Sequence, residues 1–274
     1  LSSIVVLAVS LCPLAIVESE SFTVQASTEI QNEEEKKKNE LNQLIEEAEK
    51  AENSFLLDRA IELRKRIISL TRQTYSPQHP NIAYALNDLA WLYLYLSENE
   101  KIIPIFEEQL EIVQNHFGLQ HEETASVLNN LGMVYSRLNE YEKADILLNK
   151  ALIMRKKLNG ISHLETAVVM NNLATLYQNI GQYKQAEILF NDTLKIKIEK
   201  LGLGHYETAS VQQNLGLLYK ELGQYREAEP LYKKALETTK KELGLGPEAA
   251  NIIGNLAVLY YELGQYREAE PLYK

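Results

Sequence analysis

The chain has 274 residues, 45% hydrophobic and 24% charged, enough for one elongated array or about two globular domains. Its net charge of -10 opposes a phosphate backbone, and basic runs in the repeats are short, as at Lys156-Lys157 beside Arg155 and at Lys233-Lys234, so no nucleic-acid partner is expected. The single cysteine, Cys12, excludes an internal disulfide, a CxxC zinc site and a thiol nucleophile in the body of the chain.

Ile4 to Val17 is an apolar run followed by a polar segment ending Val24-Gln25-Ala26. Residues 1–26 therefore read as a signal-peptide-like segment with cleavage after Ala26. Cleavage places the protein in the periplasm or outside the cell; without it the chain is cytoplasmic. The run falls short of the roughly 20 apolar residues of a membrane span, so none is expected in the mature chain. Residues 27–39, with the run Glu33 to Lys38, form a charged linker or the start of the first helix, supported by i,i+4 ion pairs. Residues 40–78 carry a worn helix pair, its register held by Leu44, Ala48, Ala51, Ala60 and Ile67.

From residue 79 to 274 the chain repeats itself every 42 residues. Asn129-Asn130-Leu131-Gly132, Asn171-Asn172-Leu173-Ala174 and Gln213-Asn214-Leu215-Gly216 keep this step, and Gly254-Asn255-Leu256-Ala257 comes one residue early because the loop at Gly246-Pro247 is shorter. The copies run over about 79–120, 121–162, 163–204, 205–245 and 246–274, the last truncated. Leu128, Leu131, Gly132, Tyr135 and Leu138 form one helical stripe, and Ala144, Leu147, Leu148, Ala151 and Leu152 a second. Asn139-Glu140, or Gly-Gln at 181–182, 223–224 and 264–265, turns the chain between them. Each copy is thus an antiparallel helix pair with one side still apolar, and it must stack on its neighbours.

These residues resemble the tetratricopeptide repeat (TPR): Leu-Gly/Ala-x-x-Tyr on the first helix and Ala-x-x-x-aromatic on the second. The period and the GQYREAEPLYKKALE phrase are similar to the kinesin-light-chain variety. The resemblance implies an all-α, right-handed superhelical solenoid of antiparallel helix pairs that binds a protein or peptide in its concave groove. It turns Asn87, Asn129, Asn171 and Gln213 inward as one ladder, and Asp88, Asn130, Asn172, Asn214 and Asn255 as a second. Amides pair with an extended main chain whatever its side chains. The alternative, that they bond the neighbouring helix pair, weighs most for the second ladder. Around them Tyr84, Trp91, Tyr95, Met133, Arg137, Thr175, Gln178, Lys220 and Tyr261 are candidates for selectivity, with Trp91 either an anchor or packing filler. Arg137 and Lys220 favour an acidic peptide, the net charge a basic partner.

His79, His121, His163 and His205 recur at the repeat step. Neighbouring repeats lie about 10 Å apart, whereas zinc ligands converge to about 2 Å from the ion. No metal site is expected; each histidine should help start its helix. With no GxSxG, HExxH or Walker loop, neither catalysis nor a cofactor is expected. The end at Leu272-Tyr273-Lys274, without a polar capping helix, reads as a fragment of a longer protein. A second reading makes the array the regulatory portion of an enzyme such as a caspase-like (CHAT) protease. A third has arrays self-associating end to end through the open face at Leu272-Tyr273.

Overall fold

The computed structural model describes residues 13–273, with side chains over 31–273; Ile4 to Cys12 of the apolar run, and the side chains around Ala26, lie outside these. The described elements are all α-helices: α1 (Pro13–Asn53), α2 (Leu57–Thr74), α3 (Pro80–Tyr95), α4 (Asn99–Phe117), α5 (Glu122–Arg137), α6 (Tyr141–Asn159), α7 (Leu164–Asn179), α8 (Tyr183–Leu201), α9 (Tyr206–Glu221), α10 (Tyr225–Leu243), α11 (Pro247–Glu262) and α12 (Tyr266–Tyr273). Among the described residues no helix is long and apolar enough to cross a membrane. The chain divides into two compact units, Leu1–Leu92 and Tyr93–Lys274.

In the first unit α1 packs on α2. Leu41, Leu44, Ala48 and Ala51 are buried on α1, and Ala60, Leu63 and Ile67 on α2. Arg64 is buried beside them, its guanidinium bonded to Glu52 at 2.8 and 3.2 Å and to Asp88 at 2.8 Å. Burial pushes the Asp88 carboxyl up and the Arg64 charge pulls it back, leaving it above the usual carboxylate range.

In the second unit α5 pairs with α6, α7 with α8, α9 with α10 and α11 with α12. Successive pairs touch through α6–α7, α8–α9 and α10–α11, and the first helices α5, α7, α9 and α11 also touch in series. This is an all-α solenoid of stacked antiparallel helix pairs. Its core is continuous across copies: Tyr232 and Ala235 of α10 share one cluster with Ala209 of α9, Ile252 and Leu256 of α11 and Ala269 of α12. Each fully buried Leu, Ile or Phe stabilises by about 1.5–3 kcal/mol relative to exposure, so the face that one pair leaves open is what holds the next.

Local chemistry sets where each helix begins and ends. The Nδ1 atoms of His121, His163 and His205 each accept a hydrogen bond from the backbone N–H two residues on, all at 3.2 Å. The histidine beat is therefore a series of N-caps. Thr124, Thr166 and Thr208, inside the first turns, each donate to the carbonyl of the glycine that ends the preceding helix, at 2.8 Å.

Between the helices of a pair, the N–H of Gln182 donates to the Tyr177 carbonyl at 2.8 Å and that of Gly181 to the Gln178 carbonyl at 3.0 Å. These two bonds make a Schellman turn, which places Gly181 at φ 77°. Asn139, at the same place one copy earlier, adopts φ 60°.

The tyrosine beat ties pair to pair. Tyr135 donates to Glu107 of α4 at 3.1 Å, Tyr219 to Glu187 of α8 at 3.0 Å and Tyr260 to Glu229 of α10 at 3.0 Å. Close approach within a pair depends on small residues. Ala144, Ala186, Ala228 and Ala269 are buried, and a Cβ on Gly132 would lie 2.8 Å from Leu148 Cγ.

Candidate functional site

Because α5, α7, α9 and α11 touch in series, the polar positions of these helices line up along one wall of the second unit. The two amide ladders interlock there. Asn172 donates its side-chain amide to Asn129 Oδ1 at 2.9 Å, and Asn214 to Asn171 Oδ1 at 3.2 Å. Asn129 also donates to Asn130 Oδ1 at 3.2 Å and is only 7% exposed. Its amide is committed on both sides. Asn171 is half-buried, and among the described residues its Nδ2 has no partner. At the last boundary glycine replaces the ladder amide at position 254, and Asn251 takes over, accepting from Gln213 at 2.7 Å and from Asn255 at 3.1 Å.

The other sequence candidates divide by exposure. Trp91 is 47% exposed on α3, with Tyr84 also exposed and Asn87 half-buried. In the second unit Arg137 is exposed at the last residue of α5, and Met133 and Lys220 are half-buried. Thr175 spends its hydroxyl on the Asn171 carbonyl at 3.0 Å, and Gln178 is buried.

A cavity of about 300 Å³ opens in this wall. Two ladder residues, Asn171 and Gln213, line it, together with Ser210, Thr239 and Glu248, between apolar walls that include Ile252. Lys197 and Glu207 also face it and form an ion pair with each other, although Lys197 is buried. Similarly, buried Arg155 donates to Ser126 Oγ at 2.6 Å and approaches the Glu165 carboxylate at 3.5 Å. The burial of Arg155 and Lys197 was not identifiable from the sequence. Its one trace is the repeat step that relates Arg155 to Lys197 and Glu165 to Glu207. Glu165, Glu207 and Glu248 stand in the first turns of α7, α9 and α11, and Arg137 and Lys220 in the last turns of α5 and α9, where Glu221 and Glu262 also end α9 and α11.

Comparison with known proteins agrees with this architecture. The family model described as tetratricopeptide repeat matches residues 54–114, 95–157, 146–199, 165–241 and 207–274. No curated protein sequence matches the chain. Among solved structures, BtubC (BKLC) from P. vanneervenii superimposes with a TM-score of 0.65 at 22% identity, over 79% of this chain and 87% of that one. A kinesin light chain candidate from Podosopora anserina, with nearly identical TPR-like repeats, gives 0.60 at 20% identity, over 73% and 95%. A Rap protein, solved in complex with Competence and Sporulation Factor, gives 0.62 at 16% identity, over 83% and 71%. The reading as part of a caspase-like enzyme gains no support from these matches. With the repeat model matched from residue 54 to 274, the chain belongs to the tetratricopeptide repeat family, and its fold is shared with kinesin-light-chain-like arrays.

Proposed function

We propose that this protein is an interaction scaffold whose first helices hold a segment of a partner protein in extended form along the concave face of the array. The observation that carries this reading is the cavity between the ladder residues Asn171 and Gln213, where half-buried amide groups stand beside apolar walls. Such a mixture suits a main chain that needs donors and acceptors and side chains that need apolar contact. The Rap protein's complex with Competence and Sporulation Factor supports the reading by showing a fold neighbour holding a ligand.

The test is capture and identification of a partner with the 274-residue chain, followed by titration of the identified segment as a synthetic peptide. An Asn171→Ala, Gln213→Ala double variant, verified as folded by circular dichroism, should lose at least about tenfold in affinity, the scale of two lost hydrogen bonds. Equal binding by parent and variant would move the function away from this face.

A further inference from the structure

A step of 42 residues relates Arg155 of α6, Lys197 of α8 and Thr239 of α10, and each is buried at the same place in its helix. The first two reach the glutamate in the first turn of the next helix, Glu165 and Glu207. Arg155 shows the full set of contacts: besides Glu165 it donates to Ser126 Oγ at 2.6 Å and to Asn159 Oδ1 at 3.4 Å.

Two copies further on, two of these three acceptors return without the cation, and Leu243 stands where Asn159 does. Ser210 stands at the register of Ser126 and Glu248 at that of Glu165, while Thr239 replaces the arginine. Threonine is too short to reach them. Among the described residues the Thr239 hydroxyl has no hydrogen bond and Glu248 no ion pair, and Thr239 is 4% exposed. The space left open is the cavity of about 300 Å³. Lys197 and Glu207 on its other side neutralise each other, so Glu248 is its uncompensated charge.

We infer that this cavity is an anchor pocket for a cationic side chain of the partner, arginine in preference to lysine; the inference rests on the groove reading above and names its ligand chemistry. A guanidinium is stable out of water only when paired and hydrogen-bonded. Glu248 and Ser210 supply those partners as Glu165 and Ser126 do for Arg155. The planar fork of arginine can donate to both at once, which a lysine ammonium does less well. Val211 and Ile252 line the cavity for its aliphatic stem.

The experiment titrates N-acetyl-L-arginine amide, and its lysine, norleucine and glutamate counterparts, into the 274-residue chain labelled at methyl carbons. Ile252, Val211 and Leu243 report on the cavity. Saturable shifts with arginine, weaker ones with lysine and none with norleucine or glutamate are expected. Glu248→Gln should weaken arginine binding about tenfold. Thr239→Arg should abolish it by filling the pocket from within, and arginine is already accommodated at this register in α6. Norleucine saturating the same methyls, or Thr239→Arg binding arginine as the parent does, overturns the anchor. Should Thr239→Arg not fold, unchanged arginine binding in both Ser210→Ala and Glu248→Gln overturns it instead. A captured partner held equally by parent and folded Thr239→Arg removes the anchor and leaves the groove reading standing. Arginine amide bound at the pocket, with the partner held by the Asn171→Ala, Gln213→Ala variant, has the opposite meaning.

Discussion

Asn172 on α7 donates its side-chain amide to Asn129 on α5 across a repeat boundary, at 2.9 Å. The same bond recurs from Asn214 to Asn171 at 3.2 Å, so the second ladder fastens one helix pair to the one before it. Asn172→Ala should leave the buried Asn129 carbonyl unpaired and cost about 1–3 kcal/mol. Thermal unfolding of the variant checks this, and a melting temperature equal to the parent's would show that the bond adds no net stability.

Glycine to alanine should have opposite signs at two helical positions. At Gly132 the added Cβ meets Leu148 Cγ at 2.8 Å, and overpacking of this kind costs about 1–3 kcal/mol. With the Ala144 carbonyl also at 3.3 Å, this outweighs the gain of about 1 kcal/mol in helix propensity, and Gly132→Ala should be net destabilising. At Gly254 nothing lies within 4 Å, so the propensity gain stands alone and Gly254→Ala should stabilise by about 0.5–1 kcal/mol. Denaturant melts of the two variants side by side distinguish close packing from backbone preference.

Tyr232 is fully buried, and among the described residues its hydroxyl has no hydrogen-bond partner. Phe106 and Phe190 occupy the same register in earlier copies. Tyr232→Phe removes a desolvated hydroxyl and keeps the ring, so stability should be unchanged or higher by about 1 kcal/mol. A clear drop in melting temperature would reveal a bond that this hydroxyl makes in solution.

Burial pushes the phenols of Tyr135, Tyr177, Tyr219, Tyr232 and Tyr260 above their ordinary value, with nearby carboxylates such as Glu107 and Glu187 adding to the shift. An unfolded tyrosine ionises near pH 10. Above that pH the unfolded chain has released protons that the folded chain retains, so stability must fall as pH rises. The contribution is complete below about pH 9 and is lost from about pH 10 upward. Melting temperatures from pH 8 to 12, with tyrosinate absorbance recorded in parallel, should show both effects. Ordinary tyrosine ionisation in the native protein, with no loss of stability, would contradict this coupling.

The repeat step, the apolar stripes, the histidine starts and the glycine turns were legible in the sequence because each depends on residues within one or two helical turns. The His121 cap reaches two residues and the Schellman bond from Gln182 to Tyr177 reaches five. Asn171 and Gln213 were placed inward by the resemblance to the tetratricopeptide repeat, and they line the cavity in the wall. What the amides bond to was not legible, nor was the burial of Arg155 and Lys197, the commitment of Asp88 to Arg64, or the vacancy beside Thr239. Those depend on partners 43 residues away for Asn172, 29 for Arg155 and 24 for Asp88. The sequence by itself determined the helix pair and its obligation to stack; only the tertiary structure decided which polar groups satisfy one another, because that choice is made between helices that stacking brings together.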